Sequence, residues 1–323
     1  METVRKPKGY PVDMHFQKLL GLATSLFLFT ASSTPAQNQS VPELKDINLT
    51  TLHYGSDKNQ TIDLYLPKHY RHPLPIVLWI HGGGFSTGDK KDTVPIYLLK
   101  IGFAVASMNY RLDNEVSFPA QLFDCKGAIR RLRGAAKQFK LDPTKIVAFG
   151  TSAGGTLAAL LGTTNGNRQL DGHVSDNGLS TSVQAVIDFS GISDFKAFLS
   201  TATPSTEVNL KRFLGSATGK MSTRANLASP TRIATKQLPP FLIVHGTNDK
   251  VVPVSQSQQL FQVVKKAGGD AKLVVIKDGG HSLRGYTPAG YVVQFLTQKF
   301  DLDGQNGGKM STAAALRELN MPK

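Results

Sequence analysis

The chain has 323 residues, of which 40% are hydrophobic and 19% charged, which suffices for one large core and is unlike a disordered or fibrous chain. Its 37 Lys and Arg against 23 Asp and Glu give a formal charge of +14, but the basic residues are scattered and not interleaved with aromatics, which argues against a nucleic-acid surface. A single cysteine, Cys125, excludes an internal disulfide and a Cys-rich metal centre.

Residues 1–36 carry Arg5, Lys6, Lys8 and Lys18, then an apolar stretch over 19–30, then small residues ending in Thr34, Pro35 and Ala36. A basic start, a short apolar centre and a small-residue exit describe a secretory signal peptide, so a secreted or periplasmic location is expected. The apolar stretch falls short of the roughly 20 residues a membrane span needs, and no stable membrane insertion is expected after cleavage. An uncleaved anchor is the alternative. Residues 37–48 read as a linker.

Two β-like runs over 49–66 flank Gly55, Ser56, Asp57, Lys58 and Asn59, a hairpin pattern. The run PIVLWI at 75–80 is apolar without alternation, as in a strand covered on both faces of a parallel sheet. Helix 94–100, strand 103–108, helix 120–137 and a strand ending at Gly150 follow. In the second helix Leu122, Cys125, Ile129, Leu132 and Ala136 share one face, which predicts a buried thiol, and Arg130, Arg131 and Arg133 read as a solvated face. A helix from residue 153, a polar stretch over 163–182 and a strand over 183–189 come next. Residues 191–238 lack strong periodicity and read as a small cap of short helices. Regular alternation then resumes, with strand 241–244, helix 255–266, strand 273–276 and helix 288–300; the tail 301–323 is left unplaced. Strands alternating with helices predict an α/β fold with a mainly parallel central sheet, helices on both faces and the cap between strands 6 and 7.

Residues 146–155 read IVAFGTSAGG, a strand, a sharp turn and a helix start with Ser152 at the bend. A serine hydroxyl is a weak nucleophile, so its use requires a nearby base and donors for the developing oxyanion. Three further features end predicted strands. HGGGF at 81–85 exposes backbone N–H groups of successive glycines; HGTNDKVVP at 245–253 places Asp249 past a strand; GGHSL at 279–283 places His281 after the last one. The chain order Ser152, Asp249, His281 is nucleophile, acid, base. Asp188, after the apolar run 183–187, is the rival acid and Asp194 a weaker one, while His81 and His245 read as loop-shaping residues.

With these runs, and with DLYLP at 63–67, NYRL at 109–112, FPAQLFDC at 118–125 and LDPTKI at 141–146, residues 63–300 resemble an α/β-hydrolase of the esterase/lipase branch. That branch includes the hormone-sensitive-lipase-like enzymes, and the resemblance is strongest to the small secreted carbohydrate esterases called BD-FAE-like. It implies Ser152 as nucleophile, His281 as base and Asp249 as its orienter, with the N–H groups of Gly83, Gly84 and Ala153 as the oxyanion hole. Two departures from the hormone-sensitive-lipase-like pattern favour the carbohydrate-esterase side: there is little chain before the first strands to form a cap, and Thr151 rather than Asp precedes the serine. The resemblance implies a secreted serine carboxylesterase of short-chain acyl esters, with acetyl or feruloyl esters of plant polysaccharides as candidates and no cofactor or metal. A peptidase of the prolyl-oligopeptidase type shares the fold and triad but needs a long N-terminal propeller, and a catalytically silent binding protein of this fold usually loses a triad member. The partner expected is therefore an ester substrate, small or polymeric, and not nucleic acid; the oligomeric state is left unassigned.

Overall fold

The computed structural model describes residues 46–172, 178–215, 218–235, 237–300, 302 and 310–320. The signal-peptide reading of residues 1–36 lies outside them, and no helix among the described residues is long and apolar enough to cross a membrane.

Eight strands form one sheet in the order β1-β2-β4-β3-β5-β6-β7-β8. β1 (Ile47–His53) and β2 (Thr61–Pro67) make the hairpin, and β2 runs antiparallel to β4 (Ala104–Met108). From β4 onward the sheet is parallel: β3 (Leu74–Ile80), β5 (Leu141–Thr151), β6 (Ala185–Phe189), β7 (Phe241–Gly246) and β8 (Ala271–Ile276). Parallel strands bury both faces because their crossover helices cover them, and every residue of β3 is buried. Ile76, Leu78 and Ile80 enter the core on one side, and Val77 and Trp79 the core on the other.

The first core is closed by α1 (Ala120–Gly134), α2 (Ala153–Thr163) and α7 (Ser255–Lys266), through residues such as Leu122, Leu157 and Leu260. The second is closed by α8 (Tyr286–Lys299), through Val292, Phe295 and Leu296. Between β6 and β7 lie α3 (Phe195–Leu199), α4 (Pro204–Leu214), α5 (Thr218–Leu227) and α6 (Pro230–Ile233). Phe195, Phe198, Phe213 and Leu214 of this cap belong to the same cluster as the sheet and α2, so the cap has no separate core.

Three sequence-based expectations are corrected. The helix expected over 94–100 is a 3-10 helix, Ile96–Ile101, closed by Gly102 at φ 90°. The linker expected over 37–48 gives way to strand at Ile47, which pairs with Pro67. The three arginines of α1 are not a solvated face: Arg130 is buried and bonds the Asp171 carbonyl, Arg131 bonds that of His53, and Arg133 reaches the carbonyls of Pro143, Ser180 and Ser182. Each guanidinium satisfies backbone acceptors that the neighbouring loops leave open, which hydropathy spacing cannot reveal. Within the unplaced tail, α9 (Thr312–Glu318) packs against α8 and the 3-10 helix, with Ala315 and Leu319 joining the second core.

Leu319 is 2% exposed. Leu319→Ala should lower stability by about 2 kcal/mol or more, read from the urea midpoint, because α9 packs against α8 and the 3-10 helix.

Candidate active site

β5 ends at Thr151 and α2 begins at Ala153; Ser152 between them has φ 55° and ψ −120°. A non-glycine residue pays for a positive φ, so such a bend persists only where the surroundings dictate it. Here the Ser152 N–H donates to the Phe189 carbonyl at 2.7 Å, and the Ser152 carbonyl accepts from Thr156 N at 3.0 Å. The helix also has to start close against the sheet. A Cβ on Gly154 would collide with the carbonyl oxygens of Ile80 and His81 at the end of β3, and one on Gly150 with the carbonyl of Gly154.

The loops after β7 and β8 converge on this bend. Asn248 N donates to the Gly279 carbonyl at 2.8 Å and Asp278 N to Thr247 Oγ1 at 2.8 Å, tying one loop to the other. His281 Nε2 then lies 2.9 Å from Ser152 Oγ, and His281 Nδ1 lies 2.7 Å from Asp249 Oδ2. Hydroxyl, imidazole and carboxylate form one continuous hydrogen-bonded line across 129 residues of sequence.

The Asp249 carboxyl has no exposed surface. Oδ1 accepts from Val251 N at 2.8 Å and Val252 N at 2.9 Å. Burial works to raise its pKa, but the hydrogen bonds from His281 and these two amides outweigh it and hold the carboxyl below its ordinary value. It therefore stays ionised and fixes the His281 tautomer with the proton on Nδ1, leaving Nε2 to accept from Ser152.

Sequence reasoning missed a further contact to this carboxylate. His245 Nε2 sits 3.1 Å from Asp249 Oδ2 and 2.8 Å from the Val252 carbonyl, while Nδ1 lies 2.7 Å from Ser257 Oγ. Burial pushes this imidazole down, so it is neutral and donates from Nε2. The four-residue spacing of His and Asp in HGTNDKVVP is the signal that carried it. His81 is buried as well, stacked on Tyr110 at 4.4 Å with Nδ1 2.7 Å from the Gly82 carbonyl, and its contacts are structural.

The loop after β3 lies against the bend: a Cβ on Gly82 would come within 3.3 Å of Ser152 Cβ. Gly83 (φ 106°), Gly84 (φ 61°) and Phe85 (φ 66°) follow in left-handed conformations. The N–H groups of Gly83 and Gly84 donate to no protein acceptor among the described residues. Ala153 opens α2, where the first N–H groups of a helix lack intrahelical partners and the helix dipole is positive. The rival acids lie elsewhere. Asp188 is buried beneath α2 with Oδ1 accepting from Gly191 N at 2.9 Å, and Asp194 caps α3 while pairing with Arg232 at 2.8 Å.

The sequence model of the BD-FAE family matches residues 62–264, a span that runs from β2 through α7 and takes in the loop after β3, Ser152 and Asp249. The chain belongs to the BD-FAE family. Among similar proteins, a probable carboxylic ester hydrolase, LipM, of Mycobacterium tuberculosis is 30% identical over 200 residues, covering 59% of this chain and 46% of LipM. Esterase LipC of the same organism is 30% identical over 218 residues, covering 65% of this chain and 53% of LipC. This BD-FAE chain thus matches about half the length of those curated relatives. A truncated carbohydrate esterase from gut microbiota superposes with a TM-score of 0.68 at 31% identity, over 75% of this chain and 92% of that one.

Within this BD-FAE domain the buried carboxylates of Asp188 and Asp249 behave oppositely. Burial pushes the Asp188 carboxyl from its ordinary 3.8 up to about 7, only partly offset by the Gly191 N–H. The native state then holds this proton more tightly than the unfolded chain, so its contribution to stability is lost as pH rises from about 4 through about 7. Asp188→Asn should flatten that loss in a melting-temperature series while leaving turnover near wild type. Asp249→Asn should lower kcat by roughly 10⁴-fold; equal losses in the two variants would contradict the assignment of the acid.

Proposed function

We propose that the protein is a serine carboxylesterase, and the hydrogen-bonded line Ser152–His281–Asp249, at 2.9 and 2.7 Å, carries the proposal. His281 Nε2 takes the Ser152 proton as Oγ attacks the ester carbonyl. The Gly83, Gly84 and Ala153 N–H groups bind the tetrahedral oxyanion, a stabilisation worth about a hundredfold or more per donor. His281, its imidazolium paired with Asp249, returns the proton to the departing alcohol oxygen. A water then replaces the alcohol, His281 removes its proton, and collapse of the second intermediate releases the carboxylic acid and restores Ser152. The intact relay stands against the reading of a catalytically silent binding fold.

The acyl group in this reading is short, acetyl or feruloyl, and the alcohol is a sugar of a plant polysaccharide. The likeness to a protein described as a carbohydrate esterase supports the saccharide side, and family membership supports the ester chemistry. Export from the cytoplasm, proposed from the basic and apolar pattern of residues 1–36, is consistent with a polymer too large to enter a cell.

Ser152→Ala should lower turnover of nitrophenyl acetate by roughly 10⁴-fold or more with the fold retained by circular dichroism. A fluorophosphonate should label Ser152 of the wild-type protein stoichiometrically by mass spectrometry. An acyl-chain series of nitrophenyl esters, run beside acetylated xylan and methyl ferulate, should show rates falling with chain length; a maximum at long chains would refute the short-acyl assignment.

A further inference from the structure

The esterase reading leaves a question of mechanics: what holds the loop after β3 in three consecutive left-handed residues, one of them a phenylalanine? Backbone of this kind relaxes unless neighbouring groups over-determine it. The neighbours come from the cap. Phe85 is 1% exposed and stacks on Phe213 of α4 with ring centroids 3.8 Å apart. Ser86, the next residue, donates from Oγ to Asp113 Oδ2 at 2.8 Å. The Asp113 carboxylate has no exposed surface, and Arg212 of α4 supplies its counter-charge, with Nε 3.0 Å from Oδ1. That contact is ionic rather than a directed hydrogen bond, since Oδ1 accepts none. The same guanidinium reaches Asn209 Oδ1 at 2.8 Å and Ser86 Oγ at 3.4 Å. Two successive cap residues, Arg212 and Phe213, thus grip two successive loop residues, Ser86 and Phe85.

The grip is anchored on the body of the protein at both ends. Asp113 N donates to the Phe85 carbonyl at 2.9 Å and Phe118 N to the Phe213 carbonyl at 2.7 Å. Ser86 N and Thr87 N both donate to the Gly83 carbonyl, so any displacement of Ser86 passes directly into Gly83 and Gly84. Removing the guanidinium would leave a buried carboxylate without its cation, which forces local rearrangement at the point where the loop is held. A lysine in its place could meet only part of this geometry, because an ammonium lacks the planar fork that faces three acceptors at once.

We propose that Arg212 is a positioning residue for the oxyanion loop, acting from the cap through Asp113 and Ser86 to fix the N–H groups of Gly83 and Gly84. The proposal rests on the esterase reading. Because the effect falls on the transition state, it alters kcat and leaves ground-state binding nearly untouched.

The test compares Arg212→Met, Arg212→Lys and Ser86→Ala with wild type on nitrophenyl acetate. Arg212→Met should lower kcat by about tenfold to a hundredfold, the range expected of a reacting geometry displaced by about an ångström, with KM changed by less than about twofold. Arg212→Lys should recover part of kcat, and the rate of Ser152 phosphonylation by a fluorophosphonate should fall in step with kcat across the series. Should Arg212→Met melt far below wild type, Ser86→Ala carries the test, since it cuts only the hydroxyl link and should still lower kcat several-fold. Unchanged kcat in the folded variants, or a raised KM at constant kcat, overturns the positioning role. Retained turnover in Ser152→Ala, or no labelling of the wild-type protein, overturns the esterase reading instead.

Discussion

The molecule depends on how closely α2 can approach the end of β3. Because position 154 has no side chain, the helix start rests on the carbonyl oxygens of Ile80 and His81. That closeness leaves no room for a relaxed connection from β5, so the chain turns through the positive φ of Ser152 and presents its hydroxyl at the carboxyl edge of the sheet. The strain is offset by the hydrogen bond from Ser152 to Phe189 on β6 and by the burial of all of α2. Ligand sites of open α/β sheets gather along this edge because every parallel strand delivers its following loop there. Here the loops after β3, β5, β7 and β8 bring the Gly triplet, the serine, the carboxylate and the imidazole to one place.

Two carboxylates buried at the carboxyl ends of adjacent strands are shifted in opposite directions, and the difference lies in donors rather than depth. Asp249 is met by the His281 imidazole and by the amides of Val251 and Val252, enough to outweigh desolvation. Asp188 receives the Gly191 N–H, and burial prevails. A carboxyl pushed up to about 7 is only partly ionised there and stabilises an imidazolium poorly, whereas one held below its ordinary value is ionised across the working range.

Much of this was legible in the sequence because the motifs are local. Gly-Thr-Ser-Ala-Gly following an apolar run encodes strand, bend and helix within a few residues, and the uninterrupted apolar run of β3 encodes a strand covered on both faces. The chain order of serine, aspartate and histidine conveyed the pairing, yet only folding set it at hydrogen-bonding distance. What periodicity could not carry was long-range polar contact. Arg133 bonds carbonyls 47 and 49 residues away, and Arg212 meets Ser86 across 126 residues, so neither left a mark in any window of sequence. The C-terminal helix escaped for another reason: it is seven residues long, and what identifies it is the surface it covers rather than a pattern of its own.

The continuity of the cap with the main core fixes the cap in place. Swinging α3 and α4 away as a unit would uncover Phe195, Phe198 and Phe213, all buried in the same cluster as the sheet. Each ring exposed to water costs on the order of 2 to 3 kcal/mol, so such a motion is negligibly populated. The cap therefore keeps its place on the sheet and α2, and with it Arg212 and Phe213 keep theirs against the loop after β3.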